Sequence, residues 1–264
     1  MKNITVSFTK LKFSILTVLS LMLGFSSFAQ RDIYELRIYH IESQEQEQRM
    51  DDYLENAFIP AMHEAGVDKV GVFKPVKSDT EETGKKIYVF LPYSSMDQFL
   101  ETPEKLEKNQ TYKKAGKDFI DAAHDDPTYK RIETVLLQAF TGMPQFKESE
   151  LTGPKKDRVY ELRSYESATE KQFKNKVKMF NDGEIEIFDR LGFNPVFYGE
   201  VIAGADMPNL MYMTTFENMD SEKEHWKAFG TDPAWEKMKV KEEYQNNMNR
   251  NNPKLLYPAD YSDL

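Results

Sequence analysis

A hexapeptide occurs twice in this chain. Tyr34-Glu35-Leu36-Arg37-Ile38-Tyr39 returns 126 residues later as Tyr160-Glu161-Leu162-Arg163-Ser164-Tyr165, with five of six residues identical. A repeat that long is a whole domain, not a solenoid or propeller unit. The chain of 264 residues is too long for one small domain and comfortable for two. It therefore reads as two copies of one small fold. Within each copy the hexapeptide alternates, as a strand does. Tyr34, Leu36 and Ile38 fall on one face; Glu35, Arg37 and Tyr39 fall on the other.

The elements around the hexapeptide recur in the same order. A strand over 30–40 precedes a helix over 45–65, whose apolar stripe includes Met50, Leu54, Phe58 and Met62. Pro60 predicts a kink in it, and Gly66 ends it. Strands over 69–76 and 87–93 follow, the latter apolar on both faces and hence central. A broken helical region runs from 95 to 123, and a strand covers 133–140. The second copy repeats this with a strand over 159–165, a helix over 170–191 ended by Gly192, strands over 195–201 and 210–216, helical segments over 221–247 interrupted at Asp232-Pro233, and a short strand over 254–258.

Each copy is β-α-β-β-α-β. That order builds an antiparallel four-stranded sheet with both helices on one face, the ferredoxin-like plait, in the α+β class. The other sheet face is bare. Two tandem plaits packed sheet to sheet cover each other, as an intramolecular dimeric α/β barrel. The predicted division is 1–29 signal peptide, 30–143 first repeat, 144–156 linker and 157–264 second repeat. The linker, rich in Gly, Pro and charge, reads as a flexible tether.

The first 29 residues carry a targeting signal. Lys2, Lys10 and Lys12 precede the 13-residue apolar run 13–25, and Ser27-Phe28-Ala29 is a small-x-small cleavage site. The run is short for a membrane span, with an uncleaved anchor as the other reading. Cleavage leaves a chain starting at Gln30 whose 32 basic and 44 acidic residues give −12. This predicts export to the periplasm or the extracellular space, with no stable membrane span. The acidity argues against nucleic acid as partner. The absence of Cys excludes disulfides, thiol nucleophiles and zinc–thiolate sites.

The YELR-x-Y strand opening such a unit resembles the NIPSNAP family, together with Phe229, Asp232-Pro233 and Trp235 in a late helix. The closing Leu255-Leu256, Pro258, Tyr261 and Ser262 fit as well. The first copy departs, with Thr111-Tyr112 where the second has Ala234-Trp235. The resemblance implies a tandem dimeric α/β barrel, a fold that includes small monooxygenases, haem enzymes and members without known catalysis. Fold alone does not transfer function. The expected function is therefore binding of a small ligand or protein partner in or near the barrel, without catalysis. The alternative is a cofactor-free or haem-dependent oxidoreductase.

Glu35, Arg37, Tyr39, Glu161, Arg163 and Tyr165 are the candidate site, expected to point into the barrel. There they either bind a small acid or phenol or form a structural network. Glu184 falls where the first copy has Phe58, on an apolar stripe. A carboxylate there would be a raised-pKa acid or base, unless Asn181-Asp182-Gly183 turns it outward. His40, His63, His124 and His225 show no metal-ligand spacing, and there is no phosphate-binding glycine motif. No metal or cofactor is implied. A haem would need one axial His at a cavity.

Overall fold

The computed structural model describes residues 30–264; the expected signal peptide lies outside them. Eight strands carry the architecture. They are β1 (Ile33–His40), β2 (Gly71–Pro75), β3 (Lys86–Tyr93), β4 (Arg131–Ala139), β5 (Val159–Glu166), β6 (Pro195–Ala203), β7 (Asn209–Phe216) and β8 (Arg250–Pro258). All pairings are antiparallel, and the strands close a barrel in the order β1-β3-β2-β8-β5-β7-β6-β4. The plait order β4-β1-β3-β2 is followed by its repeat β8-β5-β7-β6. Two seams join the plaits: Phe73–Pro75 of β2 against β8, and Leu136–Ala139 of β4 against β6. The two sheets thus join edge to edge as well as face to face, and each plait's edge strands are paired across the seams over part of their length.

The registers place the hexapeptides at equivalent positions. Tyr34 sits between Pro92 and Leu137, and Tyr160 sits between Thr215 and Leu256. Three large buried clusters follow, beside a small one of Met179, Met238 and Tyr244. The first packs the first plait's sheet on its helices, and another does the same for the second plait. The remaining one is the barrel interior, where Tyr34, Leu36 and Ile38 meet Tyr160, Leu162 and Met213 from the other repeat. Both faces of each sheet are therefore covered over most of their area.

In each repeat the long helix is interrupted by a π turn. Helix α1 (Gln44–Tyr53) passes through Leu54–Phe58 into α2 (Ile59–Glu64). Pro60 has no N–H and crowds the carbonyl four residues back, so the wider turn before it relieves the clash that would otherwise kink the helix. In the second repeat α6 (Glu170–Met179) passes through Phe180–Glu184 into α7 (Ile185–Arg190). No proline is there; Gly183, at φ 151°, makes the same irregularity by another route. The second helical layers are α3 (Met96–Lys108), α4 (Gln110–Ala115) and α5 (Lys117–Ile120) in the first repeat, and α8 (Met219–Gly230) and α9 (Pro233–Lys239) in the second. Asp232 caps α9 through the Ala234 and Trp235 amides, with Pro233 in the first turn. Among the described residues no helix is long and apolar enough to cross a membrane.

The segment between the repeats is not a loose tether. The Asp32 amide donates to Pro144, the Phe146 amide donates to the Asp32 carboxylate, and Lys147 bonds Val196. Phe146 packs against the interior cluster, 5.9 Å from Phe90, and Leu264 joins the same cluster. Together they close the Tyr34 end of the barrel.

Candidate functional site

The expected placement of the hexapeptide charges is reversed. Glu35, Arg37 and Tyr39, and their counterparts Glu161, Arg163 and Tyr165, lie outside the barrel, between sheet and helices. The apolar set Tyr34, Leu36 and Ile38 points inward. The reason is physical. The interior is lined from both repeats and has no helix to supply donors, whereas the helical layer can supply them. Arg37 Nε donates to Glu35 at 2.6 Å, and the Tyr93 hydroxyl donates to the same carboxylate. Arg163 pairs with Glu161 at 2.7 Å, and the Trp226 indole N–H on α8 donates to Glu161 at 2.6 Å. The Arg163 guanidinium also lies 3.7 Å from the Trp226 ring centroid. Burial works against the charge on Arg37, yet Glu35 holds its pKa above the usual value. Burial pushes the Tyr39 phenol up. The second pair fastens α8 to its sheet through Trp226, whereas the first is closed within the sheet by Arg37 and Tyr93.

Glu184 is turned inward, against the outward alternative. It is 2% exposed and pairs with Lys176 at 2.8 Å, itself 7% exposed. The Lys176 ammonium lies 4.7 Å from the Phe180 ring, with the Tyr165 and Trp235 rings beyond it. Nearby, the Tyr165 and Tyr212 hydroxyls share a 2.7 Å hydrogen bond. The first repeat has Met50 and Phe58 at the positions of Lys176 and Glu184, both fully buried. The ion pair is thus a feature of one repeat alone, in a layer whose rings Phe180, Phe188, Tyr198 and Tyr212 are all below 2% exposed.

The barrel interior itself opens elsewhere, at the His40 end. A cavity of about 110 Å³ opens there over an apolar floor of Ile38, Leu162, Met211 and Val201. The registers order the interior into layers. Tyr34 and Tyr160 are deepest; Leu36, Val135, Leu162 and Lys254 come next, then Ile38, Tyr88, Ser164 and Asn252, with Lys86 and Asn209 at the rim. Polarity rises toward the mouth. Glu82, on the β2–β3 loop, accepts from Lys86 at 2.9 Å and from the Tyr88 hydroxyl at 2.6 Å, and Lys254 lies 2.8 Å away. Burial alone would raise the Glu82 pKa, but the bonds from Lys254, Tyr88 and Lys86 bring it below the usual 4.5. Asn209 donates to Ser164 at 2.9 Å, while its buried carbonyl oxygen has no partner among the described residues.

None of the mouth residues was singled out from the sequence. The signal lay in the differences between repeats. Ile38 becomes Ser164, and in β8 Asn252 and Lys254 stand where β4 has Glu133 and Val135. The histidines do not converge. His40 contacts Glu133 and His63 contacts Asp263, each at 2.7 Å; His124 is exposed; His225 bonds the Ser221 carbonyl. A haem does not fit the mouth, which takes a molecule of a few heavy atoms and is lined by none of the four.

Residues 160–263 match the family model described as NIPSNAP. The second repeat is a NIPSNAP domain. No curated protein matches the chain. Among solved structures the barrel is similar to a proposed monooxygenase from Lactobacillus acidophilus, with TM-score 0.55 and 11% identity, covering 86% of this chain and 94% of that one. A proposed monooxygenase from Fusobacterium nucleatum gives TM-score 0.55 at 9% identity, covering 86% and 92%. An anthrone oxidase-like protein gives 0.51 at 10%, covering 88% and 93%. At such identities these neighbours share the dimeric α/β-barrel fold with the NIPSNAP-bearing chain, and the likeness extends to the fold alone.

Proposed function

We propose that the chain is an exported barrel protein that binds a small polar ligand at the mouth of its barrel, without catalysing its conversion. One observation carries the reading: a barrel sealed at one end by Phe146 and Leu264 opens at the other onto a cavity of about 110 Å³, with a charged rim above an apolar floor. A concave site in which convergent polar groups stand over an apolar floor can fix the orientation of a small molecule. An engineered cavity of about 150 Å³ holds benzene, so this one suits a ligand of similar or smaller size. Export is supported by the basic, apolar and small-x-small segments before Gln30.

The oxidoreductase alternative draws on the neighbours named as monooxygenases and an oxidase-like protein, whose identities of 9–11% bring the fold only. The layer that groups Arg163, Lys176, Glu184, Tyr165 and Tyr212 is filled by its own rings, which favours a structural role there.

Saturation-transfer NMR against a library of small polar molecules tests the binding reading. Ligands should contact the wild-type protein and lose contact in Ser164→Trp, which fills the floor. Equal binding by both proteins, or none to the wild type, defeats it. Intact mass of exported protein should show a chain beginning at Gln30; retained Met1 would count against export by cleavage.

A further inference from the structure

We infer that the mouth selects a small zwitterion, of the size and charge of a short-chain α-amino acid, with its carboxylate toward Lys86 and Lys254 and its ammonium group toward Asn209 and Asp206. This rests on the mouth being a ligand site and names the class of ligand it takes.

The argument starts from what the rim leaves unpaired. Lys86 and Lys254 share one oxygen of Glu82. Two ammonium groups on one carboxylate leave a net positive charge, and each lysine keeps two further N–H bonds without a partner among the described residues. Tyr88 occupies the other Glu82 oxygen, so that carboxylate has little capacity left for a ligand cation. Lys254 also starts from a deep layer, level with Leu162, and its pairing with Glu82 draws its charge up over the floor. This side of the mouth is a donor surface suited to an anion.

The opposite side has the reverse character. The Asn209 carbonyl oxygen is buried and accepts nothing, and the Asp206 carboxylate, exposed on the β6–β7 loop, makes no hydrogen bond or ion pair among the described residues. A buried acceptor without a donor costs stability, and a ligand N–H supplies what is missing. Both groups are acceptors, so they suit a cation.

Strand order separates the two sides. Lys86, Glu82 and Lys254 come from the contiguous run β3-β2-β8, whereas Asn209 and Asp206 come from β7 and the loop joining it to β6. The remaining lining acid, Glu133, is engaged by His40 and Arg131. A ligand spanning the mouth therefore meets donors at one end and acceptors at the other. Below it, Ile38, Leu162 and Met211 offer room for a short apolar side chain. A volume of about 110 Å³ fits glycine, alanine or serine better than a large amino acid.

The test is a titration of the full chain with glycine, L-alanine and L-serine, beside acetate, propionate and ethylamine, followed through the backbone amide shifts of Lys86, Ser164 and Asn209. The amino acids should bind at least about tenfold more tightly than either singly charged group of analogues. Lys254→Met should reduce the affinity for alanine to that for ethylamine. Asn209→Leu should reduce it to that for propionate, while Asn209→Asp, which keeps the acceptor, should retain it. Acids or amines binding as tightly as the amino acids would overturn the zwitterion class and leave the mouth as a ligand site. No mouth amide moved by these compounds, or by the wider library, would remove both.

Discussion

Lys176→Met strands a carboxylate. Glu184 is 2% exposed, and its only polar partner among the described residues is the Lys176 ammonium at 2.8 Å. Removing one member of a buried pair costs about 3–5 kcal/mol, because the remaining charge stays desolvated. The first repeat supplies the matching control. It has Met50 and Phe58 at these positions, both fully buried against the equivalent sheet. In the double variant Lys176→Met/Glu184→Phe, relief of charge burial would favour the fold by about 1–4 kcal/mol. Forcing a larger ring among Phe180, Tyr165 and Trp235 would cost about 1–3 kcal/mol. The double variant should therefore lie between about 3 kcal/mol above and about 2 kcal/mol below wild type, well above the single one. Guanidinium unfolding at neutral pH, with an unchanged slope as the check for two-state behaviour, reads both. A single variant within about 1 kcal/mol of wild type, or a double variant no better than the single, would refute the view that this pair is a buried and coupled charge.

Arg163→Ala should destabilise by about 3–5 kcal/mol through the loss of the Glu161 pair and the stacking on Trp226, and Arg37→Ala by a comparable amount; unchanged unfolding midpoints in both would show the pairs to be energetically idle. Glu82 titrates below 4.5 in the folded chain, so its contribution is present at neutral pH and is lost as acidification passes from about 4.5 downward. The stability gap between wild type and Glu82→Gln should accordingly narrow as the pH falls below about 4.5, as melting curves would show; a gap that widens on acidification would contradict the sign. Gly183→Ala places a Cβ 2.8 Å from Met238 at φ 151°, and should cost about 1–3 kcal/mol in the same unfolding assay, more than any alanine exchange at the unstrained Gly153.

The duplicated hexapeptide, its alternation and the recurrent glycines were enough to read the α+β plaits and the barrel they form within one chain. What the alternation could not say is which buried face meets helices and which meets the other sheet. Both are covered, so Glu35 and Arg37 are compatible with either until the donors on the helices, such as Trp226, are located. The sequence pattern predicts only 254–258 of the strand Arg250–Pro258, because Asn251, Asn252 and Pro253 have the composition of a turn. Pro253 is tolerated because β8 is paired only with β5 at that point and meets β2 only from Leu256 onward. The mouth was the least legible part. Glu82 reaches it from a charged loop, and its partner Lys254 lies in the other repeat, a juxtaposition that depends on barrel closure.

The covalent joining of the two plaits bears on what the mouth can recognise. Equivalent residues of both repeats face the same opening, Ile38 with Ser164, Lys86 with Asn209 and Tyr88 with Met211. In a barrel assembled from two identical chains each rim group would occur twice around a rotation axis, and a single molecule bound on that axis would meet the same surroundings at both ends. One continuous gene product is free of that constraint. Each half of the opening can change alone, and a guest with a head and a tail can be held in one orientation.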